Sequence, residues 1–215
     1  MPLLPDGRVL SGRFVRLAPV TADDLPPLAA ILADPAVYRA GWRMTRRPDP
    51  GDDALAAARR QYLGVPAPDG EGRGRIVYAV QLVGASGLGP AGTVVGTTSL
   101  GDVMVAHGRL HLGWTLYHRE VWGTAVNPET KYLLLRHCFD DLGFTRVKIQ
   151  TDALNTRSAA AIARLGAQRE GVLRRHQRRE DGSYRDTVVF SVIDTDWPAV
   201  RGGLEARLAG SGPVG

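Results

Sequence analysis

The spacing of apolar residues changes several times along the chain, and each change marks an element. Residues 14–17 read as a short strand. Thr21 then caps a helix: Asp23 and Asp24 sit in its first turn, and Leu25, Leu28, Ile31 and Leu32 recur at helical spacing. Residues 38–50 look irregular, 52–62 form a second helix, and 66–74 are a polar Gly/Pro loop. Residues 75–83 and 93–100 are β-branched strands. Between 109 and 117, Leu110, Leu112, Trp114 and Leu116 alternate with His111, Gly113, Thr115 and Tyr117, which predicts a half-buried strand with two unlike faces.

The second half is punctuated more sharply. Asn127 suits an N-cap, Pro128 the first helical position and Glu129 the helix dipole. That helix runs to about Leu142, where Gly143 ends it, with Tyr132, Leu135, Phe139 and Leu142 on one stripe. A strand follows at 146–151, then a short Ala-rich helix capped by Asn155 and closed by Gly166. Residues 170–178 and 184–193 flank Asp181-Gly182, a hairpin signal. Asp196 opens a last helix carrying Val200, Leu204 and Leu208. Strands and helices in this order give one mixed α/β domain over residues 1–208, not a doubly wound one, with 209–215 expected as a disordered tail.

Composition narrows the setting. With 215 residues, 44% hydrophobic and 23% charged, the chain suits a single folded domain. No segment approaches the roughly 20 apolar residues of a membrane helix, and residues 1–13 lack the pattern of a secretory signal. Cys138 is the only cysteine, which excludes an internal disulfide and fits a cytoplasmic protein. The net charge of +5 comes from arginine, because Lys131 and Lys148 are the only lysines. It fits a polyanionic cofactor, an acidic partner or a bias in arginine usage.

The segment from His111 to Leu142 reads as strand, turn and helix. Small residues before a helix leave backbone N–H groups for an anion such as a pyrophosphate, within reach of Lys131; the same pattern also occurs as a plain connection. Glu120-Val121-Trp122-Gly123-Thr124-Ala125 resembles the acetyl-CoA motif Q/R-x-x-G-x-G/A of the GNAT acetyltransferases. Asp152-Ala-Leu-Asn155-x-x-Ser158, Leu165-Gly166-Ala167 and Glu170-Gly171-Val172-Leu173-Arg174 follow in family order. The last of these, and the run from Trp122 to Arg136, are similar to the RimJ/RimL-like branch, which contains the ribosomal-protein N-terminal acetyltransferases. Glu120 departs from the motif, and Ile162 stands where many members carry a tyrosine acid.

The resemblance implies a GNAT fold, a curved, mixed and mostly antiparallel sheet flanked by helices, and acetyl-CoA as cosubstrate without a metal. It implies direct transfer to a primary amine, either the N-terminus of a protein or peptide, a ribosomal protein included, or a small amine; a non-catalytic acyl-CoA-binding or partner-binding module is the rival. Gly113, Trp114, Trp122, Gly123, Thr124, Ala125, Val126, Asn127, Lys131, Asn155 and Ser158 are its cofactor-binding candidates. His111 and His176 are candidate bases or structural histidines. Ser158 is a donor to the departing thiolate or a support for the helix cap. Residues 42–47 are a candidate wall of the acceptor groove.

Arg169, Arg174, Arg175, Arg178, Arg179 and Arg185 make the hairpin basic, either as a guide for an acidic substrate or CoA phosphates, as an RNA contact, or as a solvated edge. No aromatic interleaves with the arginines between 169 and 179, so nucleic acid is not the expected partner; a homodimer stays open. Gly87-Leu-Gly89-Pro-Ala-Gly92 lies between two strands, which removes it as a dinucleotide site, and no His/Cys spacing suits zinc.

Overall fold

A computed structural model describes residues 1–42, 46–179, 181–212 and 214. The strands are β1 (Leu10–Ser11), β2 (Val15–Pro19), β3 (Arg75–Leu82), β4 (Val94–Met104), β5 (Arg109–Tyr117), β6 (Arg146–Asp152), β7 (Gln168–Arg178) and β8 (Tyr184–Ile193). They form one mixed sheet in the order β1-β2-β3-β4-β5-β6-β8-β7. Every pairing is antiparallel except β5 with β6. The sheet is flanked by α1 (Leu25–Ala33), α2 (Pro35–Arg39), α3 (Asp52–Tyr62), α4 (Val126–Arg136), α5 (Thr156–Ala163) and α6 (Trp197–Ala209). This is the GNAT fold expected from the resemblance. Among the described residues no helix is long and apolar enough to cross a membrane.

Two apolar cores lie on opposite faces. One gathers Leu110 and Leu112 with Val126, Leu133 and Leu134 of α4, Ile162 of α5, and Trp197, Val200 and Leu204 of α6. The other packs α1, α2 and α3 against Val77 and Leu116. Leu110 and Leu112 thus face one way and Leu116 the other, although strict alternation would align all three. A bulge is the cause. Leu116 pairs with Thr97 and Gly113 with Ser99, so Trp114 and Thr115 together oppose Thr98. Trp114 takes a left-handed backbone, φ 51°. The extra residue inverts the pattern predicted for 109–117 and lets one strand serve both cores.

Several boundaries differ from expectation. Thr21 does form a capping box with Asp24, but the first turn is 3-10 and α1 begins at Leu25. A short helix the sequence did not signal, α2, precedes the stretch read as irregular and overlaps it only at Tyr38 and Arg39; Asp34 caps it by accepting from the Ala36 N–H. The helix expected to start at an Asn127 cap starts two residues sooner: Ala125 is its N-cap, and the Glu129 N–H already donates to the Ala125 carbonyl at 2.9 Å. Pro128 therefore occupies the third helical position rather than the first. After Arg136 the helix widens into a π turn over His137–Asp141 before Gly143. Asn155 caps α5 as predicted, its Oδ1 accepting from the Ser158 N–H at 2.9 Å.

Glu129 does more than complement a dipole. Its carboxylate accepts from the N–H groups of Arg13, Phe14 and Val15 at 2.8, 2.6 and 2.7 Å, tying the β1–β2 turn to the first turn of α4. Gly12 is required there, because a Cβ would fall 2.4–2.7 Å from the carboxylate atoms.

Candidate active site

The parallel pair gives the molecule its opening. β5 and β6 pair only over Arg109–His111 and Arg146–Lys148. Beyond this they diverge, because the bulge turns β5 towards β4 while β6 stays in register with β8. The fork holds a cavity of about 350 Å³, lined by β5 from Leu112 to Tyr117, by β6 from Ile149 to Asp152, and by the starts of α4 and α5.

Part of the lining suits anions. The turn of Trp122, Gly123 and Thr124 leads into α4, where Thr124 Oγ1 accepts from the Val126 N–H at 3.3 Å and the N-cap Ala125 offers no side chain to the Asn127 N–H. Gly123 has φ 83°, which favours glycine. Arg157, Arg164 and Arg207 line the same cavity, and the Arg157 guanidinium lies 3.7 Å from the centre of the Trp122 ring. These three arginines were missed in the sequence because they are spread over two helices distant in the chain from the turn. Gly41, Trp42, Trp114, Gln150, Asp152 and Arg185 also line the cavity. Asn155 belongs to both the cap and the wall: its Nδ2 donates to the Gly41 carbonyl at 3.0 Å, fixing α5 to the end of α2. Of the expected acceptor wall, Trp42 lines the cavity, while residues 43–45 lie outside the described residues.

The cavity gathers Gly113, Trp114, Trp122, Gly123, Thr124, Asn127, Lys131, Asn155 and Ser158 from the candidates. Ala125 and Val126 instead turn their side chains into the core. His111 and His176 are not brought together. His111 is buried on the face of β5 that Gly113 also occupies, behind the wall, with the Trp114 ring 4.5 Å away. A Cβ on Gly113 would meet His111 Nε2 at 2.5 Å. Burial, reinforced by Lys148, pushes the His111 imidazole down to about 3. A group that weak and that enclosed is poorly matched to accepting a proton near neutral pH. His176 is exposed on β7, its Nδ1 3.0 Å from Thr187 Oγ1, and borders a separate open groove along the hairpin.

Lys131 also departs from its expected role. Its amine is bound to strand hydroxyls, Thr115 Oγ1 at 2.6 Å and Thr98 Oγ1 at 3.3 Å, instead of turning to the start of α4. Burial alone pushes it down to about 7. Cys138 is fully buried in the core, where desolvation raises its thiol, and takes no part in the cavity.

Comparison with known proteins agrees with this architecture. A family model described as an acetyltransferase (GNAT) domain matches residues 15–168. A solved chain from T. thermophilus, assigned as an acetyltransferase, is 38% identical with a TM-score of 0.78, covering 97% of this chain and 100% of that one. RimJ of Mycobacterium smegmatis, solved in complex with CoA-disulfide, is 19% identical with a TM-score of 0.68, covering 94% of this chain and 95% of that one. The uncharacterized N-acetyltransferase p20 of Bacillus licheniformis is 27% identical over 104 residues, 48% of this chain and 57% of that protein, so the match spans little more than half of the curated relative.

Proposed function

This chain belongs to the GNAT acetyltransferase family, and on that premise we propose that it moves the acetyl group of acetyl-CoA onto the N-terminal α-amine of a protein or peptide. The fork between β5 and β6 carries the reading, because one cavity there is lined both by the start of α4 with cationic side chains and by groups that can meet an acceptor. The helix α4 amides and Arg157, Arg164 and Arg207 suit the phosphates of CoA. Acetyl-CoA supplies an activated thioester; the protein supplies placement and electrostatics. With Cys138 in the core and neither histidine in the cavity, direct attack by the amine in a ternary complex fits better than an acyl-enzyme. Ser158, on the wall, is the hydroxyl available to the sulfur end.

A polypeptide acceptor is favoured by what lies past the reacting end. Asp152 lines the cavity and also the open groove bounded by Leu154, Val172, Leu173, Arg174, Arg175 and His176. A chain could thus continue beyond its α-amine without reversing direction. The likeness of this fold to RimJ and the RimJ/RimL-like motifs agree with that choice. The test is acetyl-CoA turnover against a library of free-amine peptides, the same peptides with blocked N-termini, and small amines, with products located by mass spectrometry. Acetylation at peptide α-amines is expected. Turnover of small amines alone would leave the chemistry standing and replace the acceptor.

A further inference from the structure

Lys131 is a buried cation that the fold does not explain. It is 4% exposed and sits on α4 above the bulge of β5. Its partners are two neutral hydroxyls, Thr115 Oγ1 and Thr98 Oγ1, which are 2.9 Å from each other. Thr98 Oγ1 also reaches the Gly113 carbonyl at 3.4 Å. Both threonines are where they are because of the bulge: the inverted phase of β5 turns Thr115 to the α4 side, and Thr98 is the residue opposite the extra one. The other charged groups that line the cavity are Asp152, Arg157, Arg164, Arg185 and Arg207. His111, on β5, is the titratable neighbour that responds to the Lys131 charge, and it is itself held neutral by burial. No carboxylate offsets the desolvation of Lys131 among the described residues. A structural lysine is normally paired or lets its amine reach water; an unpaired one buried in a cavity wall is costly, and methionine would fill the space more cheaply.

We propose that Lys131 is the proton donor to the departing CoA sulfur, held in place by the Thr115–Thr98 pair. The assignment rests on the acetyl-transfer reading of the cavity. As the acceptor nitrogen forms its bond to the acetyl carbon, the carbon–sulfur bond breaks and its electron pair goes to sulfur. A proton passes from Lys131 Nζ to that sulfur, the acceptor nitrogen releases its own proton to solvent, and solvent restores the Lys131 proton. Burial makes the transfer favourable, because an ordinary thiol binds its proton at about 8.5 and holds it more tightly than this amine does. The lowered amine is also near the operating range of an intracellular acid catalyst.

The experiment uses CoA itself, so that it reads the site without turnover. Ultraviolet absorbance of the thiolate is followed against pH for free CoA and for CoA bound to wild type, Lys131→Met and Lys131→Arg, with binding measured separately by calorimetry. A permanent cation beside the sulfur lowers the thiol midpoint by at least about one unit in Lys131→Arg, whereas wild type, whose amine has released its proton by then, and Lys131→Met stay near free CoA. Steady-state rates with acetyl-CoA should fall about 100-fold in Lys131→Met at an almost unchanged KM for acetyl-CoA. Bound CoA with the same thiol midpoint in Lys131→Arg and Lys131→Met would overturn the lysine assignment alone. Failure of wild type to bind CoA at all would overturn the acetyl-transfer reading and this assignment with it.

Discussion

Glu129 and Lys131 are two residues apart on α4, equally buried, and opposite in circumstance. Glu129 faces the β1–β2 turn, where three backbone N–H groups satisfy its carboxylate. Lys131 faces the fork between β5 and β6, where only threonine hydroxyls meet its amine. The first charge is stabilised by the fold; the second is tolerated by it. A buried charge whose donors and acceptors are complete holds structure together, whereas one left without a counter-charge beside a cavity points towards a ligand.

The contrast can be broken most severely at Glu129. Glu129→Ala strands three buried amides and should cost about 3–5 kcal/mol, read from denaturant unfolding. Glu129→Gln should recover part of that loss, since one amide oxygen still accepts. Lys131→Met should act in the other direction and stabilise the fold at pH 6 by about 1–3 kcal/mol. The gain is pH-dependent with a definite sign. The amine titrates near 10.5 in the unfolded chain and near 7 in the folded one. Below pH 7 both states are charged and the burial penalty is complete. Between 7 and 10.5 the folded state has released its proton while the unfolded state keeps it, so wild-type stability rises and the advantage of methionine shrinks. Melting curves of both proteins at pH 6 and pH 9 test this; a constant difference would contradict the burial of an uncompensated cation.

Thr115→Val sharpens the comparison on a smaller scale. It removes the shorter of the two hydrogen bonds to Nζ and should cost about 1–2 kcal/mol at pH 6, with less lost at pH 9, by the same melting series. His176→Ala should change least. The exposed ring's hydrogen-bond partner is Thr187, so stability should stay within about 0.5 kcal/mol by the same melting series.

Much of this arrangement is written locally and was therefore legible. The Asn155 cap, the Asp181-Gly182 hairpin and the helix opened at Asp196 depend on residues within a few positions of each other, and they occur where the spacing placed them. The motif order around Gly123 and Gly166 carried the family. What escaped was set by distant parts of the chain. The bulge at Trp114 needs the register of β4 to be seen, and without it Thr115 and Leu116 fall on the wrong faces. Glu129 looked like a dipole partner because its true partners are more than a hundred residues earlier. His111 looked free to face the cleft because alternation says nothing of the Trp114 ring that encloses it.

The Glu129 clamp also sets an order of assembly. Its donors precede the carboxylate by 114–116 residues, so a chain made from its N-terminus has finished the β1–β2 turn long before the group that anchors it exists. β2 can already pair with β3, but the turn's amides must wait for their carboxylate until α4 has been synthesised, and closing so long a loop is among the slower steps of folding. The turn before β2 is thus fastened later than the strand it leads into.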